Sequence, residues 1–437
     1  MPEPVLVHTA PLAGTAEALN GGELAPGTYV DRCLDRADEV EPTIRALVEE
    51  ADRRERLRRD AADLGSRYPD ADGRPPLYGV PVGVKDIFHV DGFPTRANSG
   101  FPPEELSGPQ AGAVTRLLEA GALVFAKTVT TEFAYYEPGP TRNPHDPDHT
   151  PGGSSSGSAA AVAAGVCPLA LGSQTAGSVV RPAAFCGVVG FKPTFGRIPI
   201  DGVLPLAPSL DTVGLFTQDV AGAGLAASVL CDGWDATATP DGPPTLGVPD
   251  EAYLDRASPV GRERFEGQVD ALDDAGYDVV RAPALADVDE VEERHGALMT
   301  AEAALVHHDR YEAHGDRYSR VLSDLIEDGR AVSVGTLADA RAGRARLRED
   351  VEALMADHGV DVWVSPAAPG PAPEGIDDTG DPVMNAPWTY AGTPAVTVPA
   401  GEVDGLPLGL QCVAAHGADE RLLAWAGRIA DALYDRG

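Results

Sequence analysis

The chain has 437 residues, 43% of them hydrophobic, with 68 acidic against 34 basic side chains and a formal net charge of −34. That balance argues against a nucleic-acid or anionic-membrane partner, both of which require a basic face, and the hydrophobic content excludes disorder. No run of about 18 apolar residues is present to span a bilayer. Met1–Ala10 carries Glu3 and no basic stretch before an apolar core, so it does not read as a signal peptide, and the expected location is the cytoplasm.

Residues 28–66 read as helical, with Val30, Leu34, Ile44 and Leu47 spaced among charges. YGVPVGV at 78–84 is an apolar, β-rich run ending at Lys85-Asp86. Residues 111–120 suit a helix and ALVFA at 122–126 a short buried strand. The stretch 138–153, dense in Pro, Asp, Asn and Gly, is a loop. SAAAVAAG at 158–165 follows as a tight helix of small residues, then strand-like CPLALGS, a second Gly/Ser turn and FCGVVGFKP. Beyond Ser228, LGVP at Leu246 reads as a strand, and 290–358 as a charged helical stretch. DVWVSP at Asp361, TPAVTVP at Thr393 and LPLGLQCV at Leu406 read as buried strands, and Leu422–Leu433 as a closing helix. With strands at both ends, no repeat and no long linker, one α/β domain over 1–437 is the simplest organisation.

Five scattered cysteines without CxxC suit reduced, packed thiols; Cys186 reads as packing. The histidines form no metal-ligand pattern, and His307-His308 reads as helix surface. Codon bias explains 31 Arg against three Lys, but not two acids per base. The acid excess points to adaptation to high salt, which screens carboxylate self-repulsion.

Three segments carry chemistry: GVPVGVKD at 79–86, TPGGSSSGS at 150–158 and LGSQTAGSVVR at 171–181. The two Gly/Ser turns lead into helices, and their small residues allow consecutive amides to converge on one point, as an oxyanion hole requires. GSSSG at 153–157 matches the GxSxG elbow of α/β-hydrolases, but a loop precedes it instead of the required strand. The 121–128 stretch resembles a phosphate-binding loop but lacks the second Gly. A serine nucleophile needs a base, and no His lies in the three segments. Lys85, at the end of an apolar run, serves if burial brings its pKa from about 10.4 toward 7. All three Lys (Lys85, Lys127, Lys192) lie in this region, and only Lys85 has a chemical reason to resist becoming Arg, which stays charged.

Together these segments resemble the amidase signature family, which hydrolyses amides with a Ser-Ser-Lys triad. The resemblance rests on GVPVGVKDIF (79–88), AKTVTTEFA (126–134), NPHDPDHTPGGSSSGSAAAVAAG (143–165), LGSQTAGSVVRPAAFCGVVGFKPTFGRI (171–198) and LAPSLDTVG (206–214), with NAPWTYAGTPAVTVPAG and GLPLGLQ in the tail. It implies a central mixed β-sheet covered by helices on both faces, with a signature core at about 72–215, a helical insertion at about 255–358, and C-terminal strands and helix at 360–434. It implies Ser178 as nucleophile, Ser154 as bridging serine after a cis peptide, Lys85 as base, Ser155 as an auxiliary serine, and the amides of Thr175, Ala176, Gly177 and Ser178 as oxyanion hole. No metal or cofactor is implied, and a homodimer is expected from the family.

Three departures stand out. Gln174-Thr175-Ala176-Gly177-Ser178 replaces a common DTGGS, and SSSGS replaces SSGGS. SVVRP sets Arg181 three residues after Ser178, as in malonamidase-like amidases, where tRNA amidotransferase A subunits usually read SIRQP. Arg181 either binds a substrate carboxylate or braces the loop through a salt bridge. The expected activity is hydrolysis of a small carboxamide to carboxylate and ammonia. The alternative is an amidotransferase A subunit that draws ammonia from glutamine.

Overall fold

Ten strands form one mixed sheet in the protein, a computed structural model that describes residues 5–434 apart from Thr239 and Asp241. Met1–Pro4 of the N-terminal stretch considered above lie outside the described residues. In chain order the strands are β1 (Pro81–Lys85), β2 (Leu123–Thr128), β3 (Leu169–Gln174), β4 (Val189–Lys192), β5 (Thr212–Thr217), β6 (Leu246–Val248), β7 (Val279–Arg281), β8 (Val362–Pro366), β9 (Ala395–Val403) and β10 (Leu406–Val413). Their order across the sheet is β2-β1-β3-β5-β4-β9-β10-β8-β6-β7. β1 runs parallel to β2 and β3, while β5 is antiparallel to β3 and β4. Because β4 pairs with β9, the two ends of the chain share one sheet, as the single α/β domain requires. Fourteen α-helices accompany it among the described residues. No helix among those residues is long and apolar enough to cross a membrane.

The expected helix over 28–66 is two, Pro26–Ile44 and Arg53–Arg67. The break is a left-handed Arg45 (φ 49°), whose amide closes on Glu41, and the chain beyond it reaches β2 through a Leu47–Thr128 bridge. The insertion consists mainly of helices Val288–His314, Arg320–Ala331 and Val334–His358. Ser319 and Ser333 cap the last two by accepting the amides of Leu322 and Thr336, which satisfies otherwise orphaned donors.

The small-residue helix is Ser156–Ala163, and all eight of its residues are buried. Its composition is steric in origin. A Cβ at Gly157 would stand 2.2 Å from the Ala46 carbonyl oxygen, so the helix touches neighbouring backbone directly. This close fit fixes the start of the helix, and with it the serine loop.

The His307-His308 pair departs from the expected surface placement. His308 is exposed, but His307 is wholly buried, with Nδ1 3.0 Å from the Tyr318 hydroxyl and its ring edge-on to Phe133. The aromatic packing, invisible in a helical pattern, draws it inward. No cluster of three or more potential metal ligands occurs among the described residues.

Candidate active site

β1 and β3 are parallel neighbours, with Val84 beside Leu171, so Lys85 and Ser173 emerge together at the carboxyl ends of their strands. Such ends are where open α/β sheets place ligands. Lys85 is wholly buried. Its Nζ lies 2.7 Å from Ser154 Oγ, 2.9 Å from Ser173 Oγ and 3.5 Å from the Ser173 carbonyl oxygen. Burial pulls its pKa well below the ordinary lysine range, and the charge of Asp211 opposes that shift without forming an ion pair. A neutral amine donates two hydrogens and accepts one. Ser173 offers Nζ two acceptors, and the third contact is to the Ser154 hydroxyl oxygen.

Ser154 follows a cis Gly153–Ser154 peptide, as the resemblance implies. Both sides of that peptide are held. Arg181 Nη2 donates to the Gly153 carbonyl at 2.8 Å, and the Thr131 amide donates to the Ser154 carbonyl at 3.2 Å. Gly152 just before it has φ +79°, and a Cβ there would meet Pro182 Cα at 2.8 Å, so only glycine fits.

Beyond β3 the chain turns through 175–178 into the helix Val180–Cys186. Gln174 Oε1 accepts the amides of Val179 and Val180, and the Arg181 amide donates to the Gly177 carbonyl. No hydrogen bond from the amides of Ala176, Gly177 or Ser178 to a protein acceptor is found among the described residues. Gly177 is required there, since a Cβ would stand 2.4 Å from Asn385 Oδ1. The methyl of Ala176, where the family often has glycine, is accommodated at the cleft wall. Thr175 Oγ1 donates to Asp211 at 2.5 Å. Burial pushes the Asp211 carboxyl up to about 6, although that hydrogen bond and the amides of Leu206 and Ala207 pull it back.

Ser154, Thr175–Ser178 and Arg181 line one cleft, together with Tyr135, Tyr136, Met299 and Thr379. Ser178 is 8% exposed and Ser154 4%, so both reach the cleft from nearly buried positions. The structure therefore brings together every residue of the expected triad and oxyanion turn. Ser155 stands apart: it is wholly buried, its Oγ donates to the Ser173 carbonyl and accepts the Ser173 amide, and it does not line the cleft. That position leaves no substrate contact for an elbow-type nucleophile.

Arg181 corrects the expected salt bridge. It is 2% exposed and forms no ion pair among the described residues; Nη2 binds the Gly153 carbonyl and the Thr379 hydroxyl. Its Nε and Nη1 have no hydrogen-bond partner among the described residues. It braces the serine loop through a carbonyl oxygen, with donors to spare at the cleft. Cys186, also wholly buried, has its thiol pushed up by burial and donates to the Pro151 carbonyl, as expected of packing.

Sequence reading missed Ser173, Asp211, Thr389 and His295 as partners of the site. Asp211 and Thr389 lie within quoted motifs and Ser173 within a chemistry-bearing segment. His295 carried no signal.

A family model described as Amidase matches residues 28–423. The glutamyl-tRNA(Gln) amidotransferase A subunit of Exiguobacterium sibiricum is 32% identical over 90% of this chain and 91% of its own, and that of a Synechococcus species 34% over 92% and 93%. Among solved structures, an amidase crystal structure is 32% identical with a TM-score of 0.89, covering 97% of this chain and all of its own. The peptide amidase of Stenotrophomonas maltophilia is 27% identical with a TM-score of 0.82, over 99% and 98%. Fold, cleft and matches agree, and the chain belongs to the amidase signature family of enzymes acting on amide C–N bonds.

Proposed function

We propose that the protein is a cytoplasmic amidase that hydrolyses a small carboxamide to a carboxylate and ammonia through an acyl-enzyme on Ser178. The observation that carries this is a buried lysine, free of any carboxylate ion pair among the described residues, 2.7 Å from the hydroxyl of a serine that shares a cleft with a second serine. Neutral Lys85 takes the hydroxyl proton of Ser154, which takes that of Ser178. Ser178 Oγ bonds to the carbonyl carbon, and the amides of the 175–178 turn hold the oxyanion. The C–N bond then breaks as the proton returns through Ser154 to the leaving nitrogen, and ammonia departs. Water, deprotonated by the same relay, cleaves the ester and restores Ser178. The experiment is ammonia release by the purified chain across aliphatic, aryl and acid-bearing carboxamides, with a fluorophosphonate adduct located by mass spectrometry. An adduct on Ser178 is expected; one on Ser155 would refute the assignment.

Arg181 refines the substrate. Two unpartnered guanidinium donors in a buried side chain at the cleft suit an anionic group on the acyl portion. Arg181→Gln is expected to lower kcat/KM for the monoamide of a dicarboxylic acid about 100-fold and that of a neutral carboxamide less than about ten-fold. Equal losses on both substrates would return Arg181 to a bracing role alone.

A second reading, the A subunit of a tRNA amidotransferase, is favoured by the curated relatives, which carry that name. Its signature is glutamine hydrolysis that appears only when a partner protein is added. Ammonia release from small carboxamides by the chain alone decides for the first reading.

A further inference from the structure

A trans peptide group holds its carbonyl and the following N–H in one plane, pointing to opposite sides of the chain. Fixing the carbonyl of one residue therefore aims the N–H of the next. Three successive carbonyls of the 175–177 turn are fixed in this way. The Gly177 carbonyl accepts the Arg181 amide, the first bond of the following helix, at 3.0 Å. The Thr175 carbonyl lies 3.0 Å from Nε2 of His295, and the Ala176 carbonyl accepts the Thr389 hydroxyl at 2.6 Å. These two donors come from remote segments, helix Val288–His314 of the insertion and the short helix Ala386–Ala391, and neither side chain lines the cleft.

His295 belongs to a stripe. With Met299 and Glu302 it follows the four-then-three spacing of one helical face. Met299 lines the cleft, and Glu302 holds the amide and hydroxyl of Ser209 at 2.8 and 2.6 Å. The histidine is 5% exposed and its ring meets Tyr390 edge-on. A carbonyl oxygen only accepts, so the Nε2 of His295 carries the proton, and burial keeps the ring neutral. An apolar side chain would fill the same space. What it would lose is the donated hydrogen bond. The Thr389 hydroxyl has the Asn385 carbonyl at 3.2 Å as a longer alternative to the Ala176 carbonyl, and its oxygen accepts from Gln174 Nε2 at 2.9 Å, while Gln174 in turn holds the amides of Val179 and Val180.

We infer that His295 and Thr389 are positioning residues of the oxyanion turn, holding the carbonyls of Thr175 and Ala176 away from the cleft so that the amides of Ala176 and Gly177 aim at the acyl oxygen. This rests on the proposed role of Ser178 and its turn. It makes the insertion helix a working part of the site, reaching the turn through one hydrogen bond.

The test needs no knowledge of the substrate. A fluorophosphonate places its phosphoryl oxygen where the acyl oxygen would sit, so its rate of labelling at Ser178 reports the aim of the turn. His295→Leu and Thr389→Val are each expected to slow labelling about 10- to 100-fold, less than outright loss of one oxyanion donor, while their melting midpoints show the chain folded. His295→Gln, which keeps a donor at similar reach, is expected to recover most of the rate. Wild-type labelling in a folded His295→Leu or in Thr389→Val overturns the inference. So does slowing in His295→Leu that His295→Gln does not relieve, since that assigns the ring to packing. If His295→Leu does not fold, Thr389→Val and His295→Gln decide: slowing in the first with near-normal labelling in the second supports the inference, and any other result overturns it. Labelling that survives in Ser178→Ala is a different failure, one that removes the nucleophile assignment itself.

Discussion

Ser178→Ala is expected to lower turnover of any carboxamide the wild type hydrolyses by about six orders of magnitude, and Ser154→Ala by several, since members of a nucleophile relay act as a unit. The two changes act at different atoms. Ser178→Ala removes the oxygen that bonds to carbon, whereas Ser154→Ala leaves that oxygen in place and cuts its proton path. In Ser154→Ala, Lys85 keeps Ser173 as a partner at 2.9 Å, so loss of activity there does not imply loss of the fold. KM is expected to change little in both, because neither hydroxyl is assigned a part in holding the ground state. Single-turnover assays with matched melting curves check this. More than about one percent of wild-type turnover in Ser178→Ala exceeds what the residual binding machinery alone supplies and sinks the assignment.

The strands that build the site were legible because they are buried on both faces. β1 and β3 read as short continuous apolar runs, and all their residues are buried. β5 was not, although it lies at mid-sheet. Its sequence TVGLFT contains Gly214, present because a Cβ would stand 2.8 Å from the Phe191 carbonyl oxygen, and glycine mimics a turn signal. β7 is three residues at the sheet edge, too short for a pattern. The serine and lysine positions were legible through local motifs. Their supports were not, because those lie far away in sequence. His295 sits in EVEERHGALM, a helical run of charges, and only packing of that helix onto the turn distinguishes it from a surface residue.

The lysines also show the limit of composition. Only Lys85 has a reason to resist arginine on chemical grounds, but all three are buried to within 3%. Lys127 Nζ lies 2.7 Å from Asp86. Lys192 donates to the carbonyls of Thr393 and Pro193 at 2.5 and 3.0 Å, and burial pulls its pKa to about 7. Both are buried and hold polar partners, so packing as well as proton transfer gives a reason for lysine.

Lys85→Arg separates those two reasons. It is expected to abolish turnover by at least about four orders of magnitude, because a guanidinium stays charged and accepts no proton. Size alone is controlled by Lys85→Met, a near-isostere without a base, which is expected to be equally inactive. The pH dependence carries the sign. The native amine is pulled well below its ordinary pKa by burial, whereas in the unfolded chain it titrates near about 10.4. Between the lowered native value and about 10.4 the unfolded state holds the proton and the native state does not, so this residue's contribution to stability rises with pH across that window. The rising limb of kcat/KM comes earlier, as pH climbs through the lowered native value and the base becomes available, and kcat/KM is level above it. Lys85→Met is expected to remove the limb from activity and to flatten the corresponding slope in melting midpoint against pH. Substantial turnover in Lys85→Arg, or an unchanged pH slope in Lys85→Met, would remove Lys85 from the relay and leave Ser154 without its proton acceptor.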